Sequence, residues 1–227
     1  PFKLFELGRV FYPSDNGLPE EIETITGVCA GKKRESHWSD GSENISFYDT
    51  KGIIEQLFSH LNMDVSYVIN ADGTYIPTQS ATIFYNDNVI GTIGAVKKSV
   101  LQNFDIHFET VFMFDINFNK IIESKTSTAI KFEQISRFPE AIRDLALVVD
   151  QRIASDDITK QILTQKYVTS VEIFDVYVGE EVESNKKSLG FRIHMQSMDD
   201  TLTNELIIEQ IDKIMTLVSN KFNAQLR

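Results

Sequence analysis

Fixtures that staple or punctuate a chain are nearly missing here. Of 227 residues, one is cysteine, five are proline, eleven are glycine and one is tryptophan. The lone Cys29 excludes an intrachain disulfide; a strand-like context makes it a small buried hydrophobe and points to a reducing, cytoplasmic setting. So little Gly and Pro excludes collagen-like, linker-like and broadly disordered classes. The longest clear apolar run, Leu145 to Val149, falls far short of the ~20 residues of a membrane span, so no membrane association is expected. No signal-peptide core follows the opening Pro1-Phe-Lys-Leu-Phe5, which reads as a strand already under way and suggests a piece of a longer polypeptide.

Positive charge is also in short supply, with 22 Lys and Arg against 33 Asp and Glu, a net of −11. Residues 134–227 alone carry 11 basic and 15 acidic side chains, a net of −4. Neither half can coat nucleic acid or an anionic membrane by bulk attraction, although base-edge reading by a few placed side chains stays open. His37, His60, His107 and His194 show no metal-ligand spacing with one another or with Cys29, so no metal site is expected. No glycine-rich phosphate loop occurs. Gly91-Thr-Ile-Gly94 is too short for one and reads as close backbone packing in a sheet. A Gly-x-Ser-x-Gly elbow is absent as well.

What is present is ordinary globular stock: 42% apolar, 24% charged and sixteen Phe. That is enough for one large or two modest domains with real cores. Leu4–Tyr12 and Glu23–Gly31 read as half-buried strands around a turn-rich Pro13–Pro19. Ile54, Leu57, Phe58 and Leu61 recur at helical spacing. Strands resume at Ala81–Tyr85, Val89–Val96 and Thr110–Asn117, with Asn86-Asp-Asn88 as a hairpin turn. One helix against an antiparallel sheet is the expectation.

Glu123–Ala129 lacks large apolar residues and marks the boundary between domains 1–130 and 134–227. Beyond it, Arg143–Asp150 is a strand, and Ser155 caps a helix with Asp156 and Asp157 in its first turn. Val168–Val178 and Lys187–Gln196 follow as strands. Thr203 then caps a helix striped by Ile207, Ile211, Ile214, Val218 and Phe222, and Asn223–Arg227 closes the series. The fold class is therefore α+β, and the second domain is ferredoxin-like, βαββαβ, with both helices on one sheet face.

Alternation turns Leu189, Phe191, Ile193 and Met195 toward those helices. Ser188, Gly190, Arg192, His194 and Gln196 then line the open face. On the preceding strand, Phe174 and Val176 suit the core, and Asp175 and Tyr177 turn outward. Such a face suits a splayed nucleobase, because Tyr can stack and a carboxylate accepts the paired N–H donors of guanine. It is equally an ordinary solvated surface, or the wall of a small-molecule regulatory site. An acylphosphatase-like hydrolase is a weaker fit, since Gln151-Arg-Ile-Ala-Ser155 offers an arginine without glycines.

Several motifs now stand in order: Ile135-Ser-Arg-Phe-Pro139, Arg143–Asp150, Phe174-Asp-Val-Tyr177 with Gly179, Lys187-Ser-Leu189, Gln196–Thr203 and Leu226-Arg227. Together they resemble the ferredoxin-like anticodon-binding domain that ends the β subunit of bacterial phenylalanyl-tRNA synthetases. Upstream, Leu4–Phe11, Phe47–Gly52 and Gly91–Gly94 resemble that subunit's module related to class II synthetase cores but without catalytic function. The resemblance implies an α2β2 ligase that joins phenylalanine to tRNA(Phe) in the cytoplasm with ATP and magnesium, with the chemistry in the α subunit. It implies no catalytic residue, cofactor or metal in this chain, which would serve anticodon recognition and scaffolding. Carried over residue by residue, the guanine contacts fall on Asp175, Tyr177 and Ser188. Arg192, His194, Lys186 and Lys187 are added as contacts to the RNA backbone or neighbouring bases. Ile76-Pro-Thr-Gln-Ser-Ala81 and Val96-Lys-Lys98 depart from the family's His-Pro-Gly-Arg-Ser-Ala and Leu-His-Pro, which leaves that loop without the family's His and Arg and its ligand role open.

Overall fold

A computed structural model describes residues 2–14, 17–34, 43–69, 73–124, 132, 134–179 and 182–227. His37, the pair Glu180-Glu181 and most of the boundary stretch Glu123–Ala129 lie outside the described residues. The chain divides into two compact units, Pro1–Ile130 and Lys131–Arg227.

The first unit is a six-stranded antiparallel sheet with strand order β1-β2-β6-β5-β4-β3. Its strands are β1 (Phe2–Tyr12), β2 (Glu20–Ala30), β3 (Ser66–Ile69), β4 (Tyr75–Tyr85), β5 (Asn88–Val96) and β6 (Val111–Asn117). Helix α1 (Phe47–His60) starts at Ser46, whose side chain accepts the Asp49 N–H while Asp49 accepts the Ser46 N–H. This capping box satisfies two otherwise orphaned donors. Ile54 and Phe58 are buried against Ile83, Ile90, Ile93, Phe114 and Ile116, with Leu57 and Leu61 packed beside them. Asn86 and Asp87 both take positive φ, 46° and 63°, as a two-residue hairpin of matching twist requires. A Cβ at Gly94 would sit 2.6 Å from the Tyr75 ring, so glycine lets β4 and β5 close up there.

Two expectations fail in this unit. Strand β1 is exposed along nearly its whole length rather than half-buried: it is the edge strand, and Leu4, Phe5, Leu7 and Phe11 stand in solvent. Helices α2 (Lys98–Asn103) and α3 (Phe118–Ser124) also join α1, so among the described residues the unit has three helices, not one.

In the second unit, β7 (Ala141–Asp150), α4 (Ser155–Leu163), β8 (Val168–Tyr177), β9 (Lys186–Met195), α5 (Asn204–Phe222) and β10 (Gln225–Leu226) follow in order. The sheet order is β10-β7-β9-β8, all antiparallel, which is the ferredoxin-like arrangement. Leu145, Leu147, Val149, Leu189, Phe191, Ile193 and Met195 form one wall of the core. Ile158 and Ile162 of α4 and Ile207, Ile214 and Val218 of α5 form the other. Thr203 caps α5, its Oγ1 accepting the Leu206 N–H. Ser155 is not a cap: Ala154 holds that position without a side-chain bond, and Ser155 is the first helical residue. Asp156 and Asp157 still occupy the positive end of α4.

Candidate nucleic-acid interface

The register of β7, β9 and β8 assigns a face to each side chain. Leu147–Leu189–Val176 and Leu145–Phe191–Ile173 are cross-strand rows on the helix-covered side. Between them, Asp150–Lys186, Val148–Ser188–Tyr177, Ala146–Gly190–Asp175, Asp144–Arg192–Glu172 and Ile142–His194–Ser170 form the open side. Its middle is a floor of small residues, Ala146, Ser188 and Gly190, under longer side chains from the margins.

Strand β8 does not alternate regularly. Ile173 stands opposite Phe191 and Asp175 opposite Gly190, so one extra residue, Phe174, is inserted as a β-bulge. A Cβ added at residue 190 would lie 2.8 Å from Cζ of Phe174 and 3.1 Å from Cβ of Asp175. Both side chains therefore crowd the same cross-strand position. The expectation that Phe174 joins the core is overturned: the bulge turns it onto the open face, where it is 51% exposed. Val176 keeps the helix-covered side with Leu189, yet at the sheet edge it is 60% exposed. An isolated glycine inside a strand was the available sign of this irregularity.

Asp175 is exposed on the open face, beside Phe174. Tyr177 is half-buried. The Arg227 guanidinium carbon lies 5.0 Å from its ring centroid, within cation–π range. Arg227 reaches the ring from the far side of the sheet, where its N–H donates to Ala146 O at 2.9 Å. The Tyr177 hydroxyl fills the place a Cβ of residue 179 would take, 2.5 Å away, so Gly179 makes room for it. Ser188 shares this face but is only 2% exposed, between its neighbours Val148 and Tyr177.

Three of the four basic candidates already hold carboxylates. Arg192 donates from Nε and Nη2 to the two oxygens of Asp144, at 2.9 and 2.8 Å. This fork holds the Asp144 carboxyl below the usual carboxylate range and raises the guanidinium. The Arg192 guanidinium carbon also sits 5.2 Å from the Phe174 ring centroid. His194 places Nδ1 3.1 Å from Glu140, and its buried Nε2 has no hydrogen bond, with Glu172 3.9 Å away. Lys186 pairs with Glu183 at 3.1 Å. Lys187, opposite Val149, lies on the side of Leu189 rather than on the open face. Burial pushes its ammonium pKa down, partly opposed by the charge of Asp150. The open face thus offers two aromatic rings, an exposed carboxylate and basic groups already paired with carboxylates. That set can stack a base and accept N–H donors, but it attracts phosphate weakly.

In the first unit a cavity of about 840 Å³ is lined by Phe47, Tyr48, Tyr67, Phe112, Thr78 and Gln79 among others. The divergent stretch Ile76–Ala81 thus gives its wall hydroxyl and amide groups. Among the described residues no three His, Cys, Asp or Glu side chains are grouped to hold a metal ion, and no helix is long and apolar enough to cross a membrane.

Comparison with known proteins adds two family matches. Residues 1–118 match the phenylalanyl-tRNA synthetase beta chain CLM domain, and residues 136–227 match the ferredoxin-fold anticodon-binding domain. Among similar proteins, a phenylalanine–tRNA ligase beta subunit of Dehalococcoides mccartyi is 34% identical over 98% of this chain and 27% of its own length. The beta subunit of Vibrio vulnificus is 35% identical over 99% of this chain and 29% of its own. That of Streptococcus agalactiae is 32% identical over 99% and 28%. The chain spans a little over a quarter of the length of these relatives. A small-molecule regulatory module is not favoured by these matches.

Proposed function

Because the chain belongs to the phenylalanyl-tRNA synthetase beta-chain family, we propose that it supplies anticodon recognition and subunit scaffolding to a phenylalanine–tRNA ligase. The observation that carries this reading is the anticodon-binding match over 136–227, in a unit whose open sheet face presents Asp175 and Tyr177 side by side. Asp175 accepts the paired donors of the first anticodon guanine, and Tyr177 stacks on it. Ser188 joins them once a flanking side chain swings outward, since it is buried in this arrangement. Arg192, His194 and Lys186 make subsidiary contacts by sharing their carboxylate partners with the RNA, whereas Lys187, on the helix-covered side with Val149, takes no part in them.

The partners in this reading are tRNA(Phe) and the α subunit, in a cytoplasmic α2β2 assembly. Residues 1–130 act as the non-catalytic synthetase-like module and residues 134–227 as the reader. In this reading ATP and magnesium enter through the α subunit. The test is binding of the chain to a hairpin RNA carrying the phenylalanine anticodon loop, against hairpins with the first anticodon base changed. Preference for guanine is expected; equal binding of all four would overturn the reading. The chain alone should charge no tRNA with phenylalanine, and ATP-dependent charging would remove the chemistry from the α subunit.

A further inference from the structure

The strongest unassigned feature of the open face is an aromatic ring that the fold goes out of its way to put there. Alternation counted back from Tyr177 would send Phe174 toward the helices with Val176. Instead the bulge inserts it on the opposite side, half in water, at the position that Gly190 vacates. Hiding such a ring in the core is the more favourable option for stability alone. The ring is also held in place. Gly190 lies beneath its tip, and the Arg192 guanidinium, itself fixed by the Asp144 fork, lies against it. Its neighbour Asp175 emerges from the same cross-strand position, so a base engaging that carboxylate brings the adjoining nucleotide within reach of the ring. Tyr177 stands three residues further along the strand, roughly 10 Å at ~3.3 Å per residue.

We propose that Phe174 is a second stacking platform, which takes the nucleobase adjacent to the one read at Asp175 and Tyr177. The inference rests on the anticodon-reading function proposed above. Stacking needs only a π-face, so Phe174 contributes affinity and strand path without selecting a base. Gly190, Arg192 and Asp144 are positioning residues for that ring. The face then reads one base and parks its neighbour.

The experiment uses the 227-residue chain and an anticodon-loop hairpin that keeps guanine at its first anticodon position, with 2-aminopurine placed at each other loop position in turn. Wild type should quench the probe at a position next to that guanine. Phe174→Leu should abolish that quenching and weaken binding roughly 5- to 150-fold, whichever base stands there. Phe174→Tyr should restore both, which a merely structural ring would also allow; the position-specific loss in Phe174→Leu at unchanged thermal midpoint is what separates the two. Gly190→Ala, which displaces the ring without removing it, should reproduce the loss. Wild-type affinity and quenching in Phe174→Leu overturn the inference alone, provided Tyr177→Ala still loses binding. Failure of wild type itself to bind the hairpin overturns the function and the inference together.

Discussion

Arg192 and Asp144 meet across β9 and β7 as a two-pronged pair, Nε to Oδ1 at 2.9 Å and Nη2 to Oδ2 at 2.8 Å. Their side chains are 42% and 45% exposed, so water and salt screen the pair and it adds little to stability. What it fixes is direction. The fork locks the guanidinium plane beside the Phe174 ring and removes one cation from the pool available to phosphate.

Replacing that fork tests the point. Arg192→Lys keeps the charge and loses the planar grip. The thermal midpoint of the chain should stay as in wild type, while hairpin affinity falls. A melting curve and a filter-binding isotherm on the same preparation read both. A fall in midpoint with affinity unchanged would make the pair a structural brace only.

Tyr177→Ala should weaken hairpin binding by about 1–3 kcal/mol, the worth of one base stacked on an aromatic ring. Tyr177→Phe should retain most of it, because the ring face is kept. Titration by fluorescence anisotropy decides it, and unchanged affinity in the alanine variant would remove the stacking role.

Asp175→Asn should erode preference for guanine more than it lowers affinity for the other three bases, because base edges specify while backbone contacts position. Comparison of four hairpins differing at the first anticodon base provides the readout. With Arg192, His194 and Lys186 each paired to a carboxylate, the salt dependence of all four should be shallow.

Acid gives a separate handle on β7. The Arg152 side chain and N–H hydrogen-bond to Asp150 and lower its carboxyl from 3.8 to about 2. A depressed carboxyl stabilises the fold above its unfolded value and loses that contribution as pH falls through the folded one. Wild type should therefore melt above Asp150→Asn at pH 5, and the gap should close between about pH 4 and pH 2. Thermal scans at stepped pH measure it, and a gap that persists at pH 2 contradicts the assignment. Deep in the same unit, Phe191 is fully buried, and Phe191→Ala should cost about 3–5 kcal/mol by denaturant titration.

Much of the second unit was legible because its elements are long enough for their periods to show. The five-residue stripe of α5 and the strand β7 needed nothing beyond spacing. The short pieces escaped: α2 and α3 have six and seven residues and β3 has four, below the window in which a period is visible. Strand β1 misled for another reason. Its alternating apolar residues promise a buried face, but only sheet order decides which strand is the edge, and that is a long-range property. On the open face, counting back from Tyr177 gives the correct sides for Val176 and Asp175 and then fails at Phe174. A bulge is a property of two strands, and a single strand's pattern carries no trace of it. The hint lay in the partner, at Gly190.

That partnership extends beyond this one chain. Because the ring at 174 occupies the volume a Cβ at 190 would need, neither site is free to drift without the other. Any relative that gains a side chain at the second should be found to have shed the aromatic at the first, and the two positions should covary across the family even though they lie sixteen residues apart.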